Sequence, residues 1–191
     1  VREVADILNE PLALPRWWPS VYLGVWELEP ARADGTGRVI ALYTKGWLPY
    51  TLRWQFQVTE SRYPNGFRLE ADGDFVGRGI WTLEQDGAWV DVTYDWKIDA
   101  EKPLLKYGSF FVKPIFSWNH HWAMARGEES LRLELARRHS ATPEERGRVP
   151  APPGPTSTEG MAMAFGAGAT LVVWAIVTLA RTPGRGRGRR S

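Results

Sequence analysis

Two histidines stand side by side in "FSWNHHWAM", residues 116–124, between Trp118 and Trp122. The chain of 191 residues has no cysteine and only one further histidine, His139. Imidazole titrates near neutrality and serves both metal binding and proton transfer. Adjacent helical positions point about 100° apart, so His120 and His121 do not share a helix face. Two ligands of one metal on a helix normally sit four residues apart. Here those partners are Met124 and Ala125, and the next carboxylate downstream is Glu128. The spacing speaks against a metal, and no cofactor is expected. It leaves His120 and His121 as candidates for a general acid or base that lacks a visible orienting partner. The plainer reading puts one imidazole inward and the other in solvent, with Asn119 bonded to backbone or water.

The elements that must position this stretch follow from periodicity. "VREVADILNE" carries Val1, Val4, Ile7 and Leu8 at helical spacing. Pro11 and Pro15 are expected to stop that helix. Trp17 and Trp18 then either close one end of an interior space or pack over a helix. Six strand-like runs follow, at 21–29, 37–44, 51–59, 66–72, 79–87 and 88–99. The third puts Leu52, Trp54, Phe56 and Val58 on one face and Arg53, Gln55 and Gln57 on the other. Such alternation gives one dry and one wet face, as in antiparallel sheets. Asp86-Gly87 marks a hairpin between the last two runs. The glycines of "GDFVGRG" at 73–79 lack phosphate-loop spacing and read as turns and a bulge.

From about 108 to 138 the pattern becomes helical. Phe111, Ile115, Trp118 and Trp122 fall on one stripe, with Met124, Leu131 and Leu135 nearly opposite. A helix apolar on two sides is expected to lie between two surfaces. The architecture is thus α+β: a curved antiparallel sheet wrapped around a long C-terminal helix, over residues 1–139.

Residues 140–160 hold five prolines and are expected to form an extended, unpacked linker with little secondary structure. Residues 161–180 are uncharged and apolar, 20 in number. At about 1.5 Å per residue they span a bilayer core, which predicts a single-pass transmembrane helix. A buried helix, or a tail read out of frame, would share that composition. The basic tail 181–191 holds five of the 24 lysines and arginines. Without it 19 basic residues face 22 acidic ones, so no folded basic surface asks for nucleic acid. The tail arginines favour a C-terminus in the cytoplasm. A tail anchor would instead hold the domain there, which the lack of a visible signal peptide favours. The chain opens at Val1, already in helical pattern, which suggests that something precedes it.

"RWWPSVY" (16–22), "KGWLPYTLRWQFQVTE" (45–60), "GDFVGRGIWTL" (73–83), "VTYDWKI" (92–98) and "KPIFSWNHHWAMARGEESLRLEL" (113–135) together resemble the SRPBCC superfamily. This is the START-like group often labelled polyketide cyclase/dehydrase, and the likeness covers about residues 1–139. The resemblance implies the helix-grip fold with its first strand missing here, and therefore an unpaired sheet edge. It also implies binding of a hydrophobic small molecule or lipid in a cavity between sheet and helix. Trp47, Tyr50, Trp54 and Trp81 are then candidates for the cavity wall, together with Trp96, Phe111, Trp118 and Trp122. Two other readings stay open: a cyclase or dehydratase using a cavity histidine, and an interaction module whose cavity has collapsed.

Overall fold

A computed structural model describes residues 1–48, 50–74, 76–99 and 109–156, with the backbone alone at 98, 99 and 109–116. Helix α1 (Arg2–Leu8) buries Val4, Ala5 and Ile7. Pro11 and Pro15 do more than end it. Each stands at the start of a new helical turn, the 3₁₀ turn Pro11–Ala13 and the short helix α2 (Leu14–Trp17). A proline costs nothing there, because the first N–H groups of a helix have no internal partner.

The strands are β1 (Tyr22–Glu29), β2 (Val39–Lys45), β3 (Thr51–Ser61), β4 (Gly66–Gly73), β5 (Val76–Asp86) and β6 (Trp89–Asp99). They pair antiparallel in chain order, β1 to β6. All six expected runs are therefore strands, with ends shifted by a few residues. Gly87 and Ala88 form a two-residue turn between β5 and β6, Gly87 with φ of 55° and Asp86 paired to Trp89. Glycine at the first central position is what such a turn demands. Register breaks at Tyr22/Gly24 and Glu27/Glu29 in β1, and at Val58/Glu60 in β3. Extra residues of this kind bend a strand and raise its twist, and the sheet curves accordingly. Among the described residues, β1 and β6 have a neighbouring strand on one side only.

Period-two patterning decides the faces. Leu52, Phe56, Leu69 and Ala71 are buried, while Arg53, Gln57 and Glu70 are exposed. Helix α3 (Ser109–His139) covers the inner face. Met124, Leu131 and Leu135 pack on a core of Ile40, Leu42, Phe56, Leu69, Trp81 and Leu83. Full burial of side chains of this size contributes about 1.5–3 kcal/mol each. Trp17 and Trp18 are buried too, and a Cβ at Gly127 of α3 would strike the Trp18 indole. Of the two placements open to this pair, packing against the helix is the one observed.

The other side of α3 meets the β2–β3 loop. Asn119 Oδ1 accepts from the Leu48 N–H at 3.1 Å, and Gly46 lets the Asn119 side chain approach the loop backbone. Beyond α3 lies a difference from the extended linker expected at 140–160. Pro143–Arg148 form helix α4. Thr142 caps the backbone N–H of Glu145, and the Glu145 carboxylate accepts from the Thr142 N–H. This reciprocal capping, with proline at the first turn, offsets the poor helix propensity of the segment. The chain that follows lies along the body: Arg137 reaches Pro150 O, and Lys45 Nζ donates to Thr156 O at 2.6 Å. Residues 161–180 lie outside the described residues. Among those described, no helix is long and apolar enough to cross a membrane.

One buried carboxylate ties α3 to the N-terminal elements. Glu134 is 3% exposed and accepts from both ends of the Arg16 guanidinium, each at 2.8 Å. Arg138 Nε adds a bond at 3.2 Å and links onward to Glu10 at 2.8 Å. The Arg16 hydrogen bonds hold the Glu134 carboxyl below its ordinary value of 4.5, against the opposing effect of burial. A depressed folded value means that this stabilisation is present above the ordinary value. It is lost as the pH falls through the lowered one. Arg16→Met should lower the unfolding free energy at neutral pH by about 1–3 kcal/mol, leaving a buried carboxylate under-served. The deficit should shrink by about pH 3, where the carboxyl is protonated in the unfolded chain. Urea denaturation of both proteins at the two pH values measures it.

Candidate functional site

The inner face carries a row of rings because alternate residues of neighbouring strands point the same way. Trp81 pairs with Tyr94 across β5 and β6, and Gly79 with Trp96. The Trp81 and Tyr94 rings stack at 4.1 Å, and Tyr94 and Trp96 at 5.3 Å. Phe67 continues the row beyond Trp81 at 6.0 Å. Trp54 joins it on the other side, 5.6 Å from Trp96. Gly79 makes the stacking possible, since a Cβ there would run into the Tyr94 and Trp96 rings. Offset and tilted contacts of this kind contribute about 0.5–1.5 kcal/mol each beyond area burial. Trp81 is buried, whereas Trp54, Tyr94 and Trp96 keep partial exposure.

A few polar groups punctuate this surface. The Trp54 indole N–H donates to Thr44 Oγ1 at 3.0 Å. Burial pushes the Tyr94 phenol well above its ordinary value, and the nearby Tyr22 phenol adds to the shift. Burial likewise pushes Tyr22 up. Both phenols are therefore held neutral and able to donate. At one end, a cleft of about 270 Å³ opens between Leu8 and Pro11 on one side and Phe56, Val58 and Phe67 on the other. Phe67 is common to the cleft and to the row of rings.

The aromatic side chains singled out from the sequence divide into groups. Trp54, Trp81 and Trp96 belong to the inner row. Trp47 and Trp118 form a separate edge-to-face pair at 4.3 Å, where the β2–β3 loop meets α3. Trp118 is 48% exposed there. Tyr50 stands in the same loop, its phenol pushed up by burial. Trp122 is part-buried, with the Arg126 guanidinium 5.9 Å from its ring centre. The side chain of Phe111 lies outside the described residues. Phe67, Tyr94, Tyr22 and Thr44 were missed by sequence reasoning. Phe67 and Tyr94 follow from alternation once the register is known, and Thr44 from its place on the buried face of β2.

His120 and His121 sit on successive positions of α3 with ring centres 6.2 Å apart. Partial burial and the neighbouring His121 push the His120 imidazole below its ordinary value. Both residues reach solvent. Among the described residues, neither imidazole has a hydrogen-bond partner that would fix its tautomer, and no cluster of potential metal ligands is found. Arg53 and Asp95 lie on the outer face, as their strand positions imply.

No protein-family model matches the chain, and no curated protein does.

The buried phenols generate a titration signature. A raised folded value gives stabilisation that is present below the ordinary phenol value. It is lost as the pH rises through the raised one. Tyr22, Tyr50 and Tyr94 should remain protonated above about pH 10, the ordinary phenol value. They should ionise only together with alkaline unfolding. Tyrosinate absorbance followed beside circular dichroism checks this, and Tyr94→Phe should remove one phenol from the cooperative step.

Proposed function

We propose that this domain binds a hydrophobic or amphipathic small molecule, such as a lipid, between the inner face of the sheet and helix α3. In this reading it is a START-like domain of helix-grip architecture, tethered to a membrane by residues 161–180. The observation that carries the reading is the continuous row Phe67–Trp81–Tyr94–Trp96–Trp54, in which all the rings but the buried Trp81 keep partial exposure. Rings that only filled a core would be sealed along their length. These offer apolar area to an incoming molecule, with Thr44 and two neutral phenols as polar groups beside them among the described residues. A largely apolar wall with few polar groups is the usual composition of a small-molecule pocket. The cleft edged by Phe67 supplies an approach from solvent. Burial of apolar ligand surface supplies the affinity, at about 25 cal/mol per Å².

The histidines are bystanders in this mechanism. Helix α3 carries them at its solvent-reaching surface, and no orienting group among the described residues prepares either for proton transfer.

Titration of the full chain with a fluorescent sterol, alongside native mass spectrometry of co-purified lipids, tests the reading. Trp54→Ala and Trp96→Ala should each weaken binding about tenfold, the loss of some 60 Å² of apolar wall. His120→Ala combined with His121→Ala should leave affinity within about twofold, well under 1 kcal/mol. Unchanged affinity in both tryptophan variants would sink the proposal. For the tether, the full chain should float with phospholipid vesicles, and a chain ending at residue 160 should not.

A further inference from the structure

The opposite face of the same sheet carries a second recess. It holds about 510 Å³, its lining includes the outward side chains Trp26, Tyr43, Arg53, Gln55 and Asp72, and it also touches Trp54. The pairing register explains its shape. Trp26, Ala41, Gln55 and Asp72 follow one another directly across β1 to β4, and Gly24, Tyr43 and Arg53 form the adjoining row. Ala41 leaves a low floor between larger neighbours. Gly24 lets the Trp26 indole lie over the strand, since a Cβ there would collide with the ring. Trp26 is 56% exposed, so the ring presents a broad face to solvent. The Arg53 guanidinium rests 5.3 Å from the centre of the Tyr43 ring, which holds it in place.

Three polar side chains surround this platform with hydrogen-bonding capacity to spare. Among the described residues, the Arg53 guanidinium and the Asp72 carboxylate are in no ion pair, and the Gln55 amide is unbonded. The site thus offers a planar fork of donors, a bidentate acceptor and an amide with both functions. One cation and one anion leave it electrically balanced.

We propose that this outer recess is a saccharide-binding site. A pyranose has an apolar face of C–H groups that suits an indole and a rim of vicinal hydroxyls that both donate and accept. Guanidinium and carboxylate each engage such a pair of hydroxyls through two bonds. A hydrocarbon would strip water from Arg53 and Asp72 without replacing it, which is costly. An anion would face Asp72 and a cation Arg53. The recess is open to solvent, which suits a chain end or a short glycan lying across the strands. It does not rest on the inner-face reading, because Trp26, Arg53, Gln55 and Asp72 lie on the opposite face of the sheet from the row of rings.

The full chain is screened on an array of neutral and N-acetylated glycans, then titrated by calorimetry with maltose, cellobiose and N,N′-diacetylchitobiose. Saturable binding to at least one is expected. Trp26→Ala should weaken it tenfold or more, and Asp72→Asn several-fold, while Trp96→Ala on the inner face leaves it unchanged. Should Trp26→Ala misfold by circular dichroism, Arg53→Gln takes its place with the same expectation. The proposal is overturned by an empty array, or by saccharide binding that is indifferent to these outer-face changes. It is equally overturned if the recess binds benzoate or phosphate, and not sugars, in a Trp26-dependent way.

Discussion

A sheet with one dry face has to be covered, and among the described residues α1, α2 and α3 are what covers it. That constraint organises the molecule. Met124, Leu131 and Leu135 meet the sheet through one stripe of α3, and Gly127 admits Trp18 beside them. Glu134 lies on the same side of the helix, buried at 3% exposure and held by Arg16 and Arg138. A carboxylate in that position is unfavourable unless its partners are in place, so it favours one rotation of α3 and disfavours others. Hydrophobic packing alone tolerates small slips along a helix. The bidentate pair does not. The C-terminal half of α3 is thereby fixed against the sheet.

The strands were legible because period-two alternation is strong in them. Leu52, Trp54, Phe56 and Val58 could be assigned to one face from spacing alone. The hairpin at Gly87 and the length of α3 were equally readable. The charge network was not. Glu134 sits in "LRLELARR", which reads as an ordinary solvated helix face, and its partner Arg16 lies 118 positions away. Helix α4 was obscured by its prolines, although Thr142 and Glu145 are spaced as a capping box. The lesson is that proline density argues for an extended linker only where no cap stands before a proline.

Tryptophan was the least informative residue in the site, for a physical reason. An indole is large enough to be valuable wherever it lands, so type alone does not say which surface it serves. Trp54 and Trp96 join the inner row, Trp47 and Trp118 clasp a loop to a helix, and Trp26 lies on the outer face. Only pairing register separates these cases, and register depends on partners distant in sequence. The bulges in β1 further blur its alternation, so that "VYLGVWELE" looks apolar on both sides when read alone. Trp26 is in fact directly opposite Ala41, facing away from Val25 and Leu42.

The polar content of the inner face bears on the kind of ligand the proposed reading admits. Thr44 already receives the Trp54 indole N–H, which leaves its own hydroxyl proton to donate. Tyr22 and Tyr94 are neighbours, and a negative charge on either would be opposed by burial and by the other. Among the described residues, the inner face therefore presents hydroxyl donors beside an aromatic wall, with no buried cation among them to draw in a carboxylate. Such a surface discriminates against an ionised fatty acid, whose headgroup would have to remain at the cleft. It is better matched to a molecule with a lone carbonyl or hydroxyl on a rigid apolar frame, which could enter whole and satisfy one phenol without importing a charge.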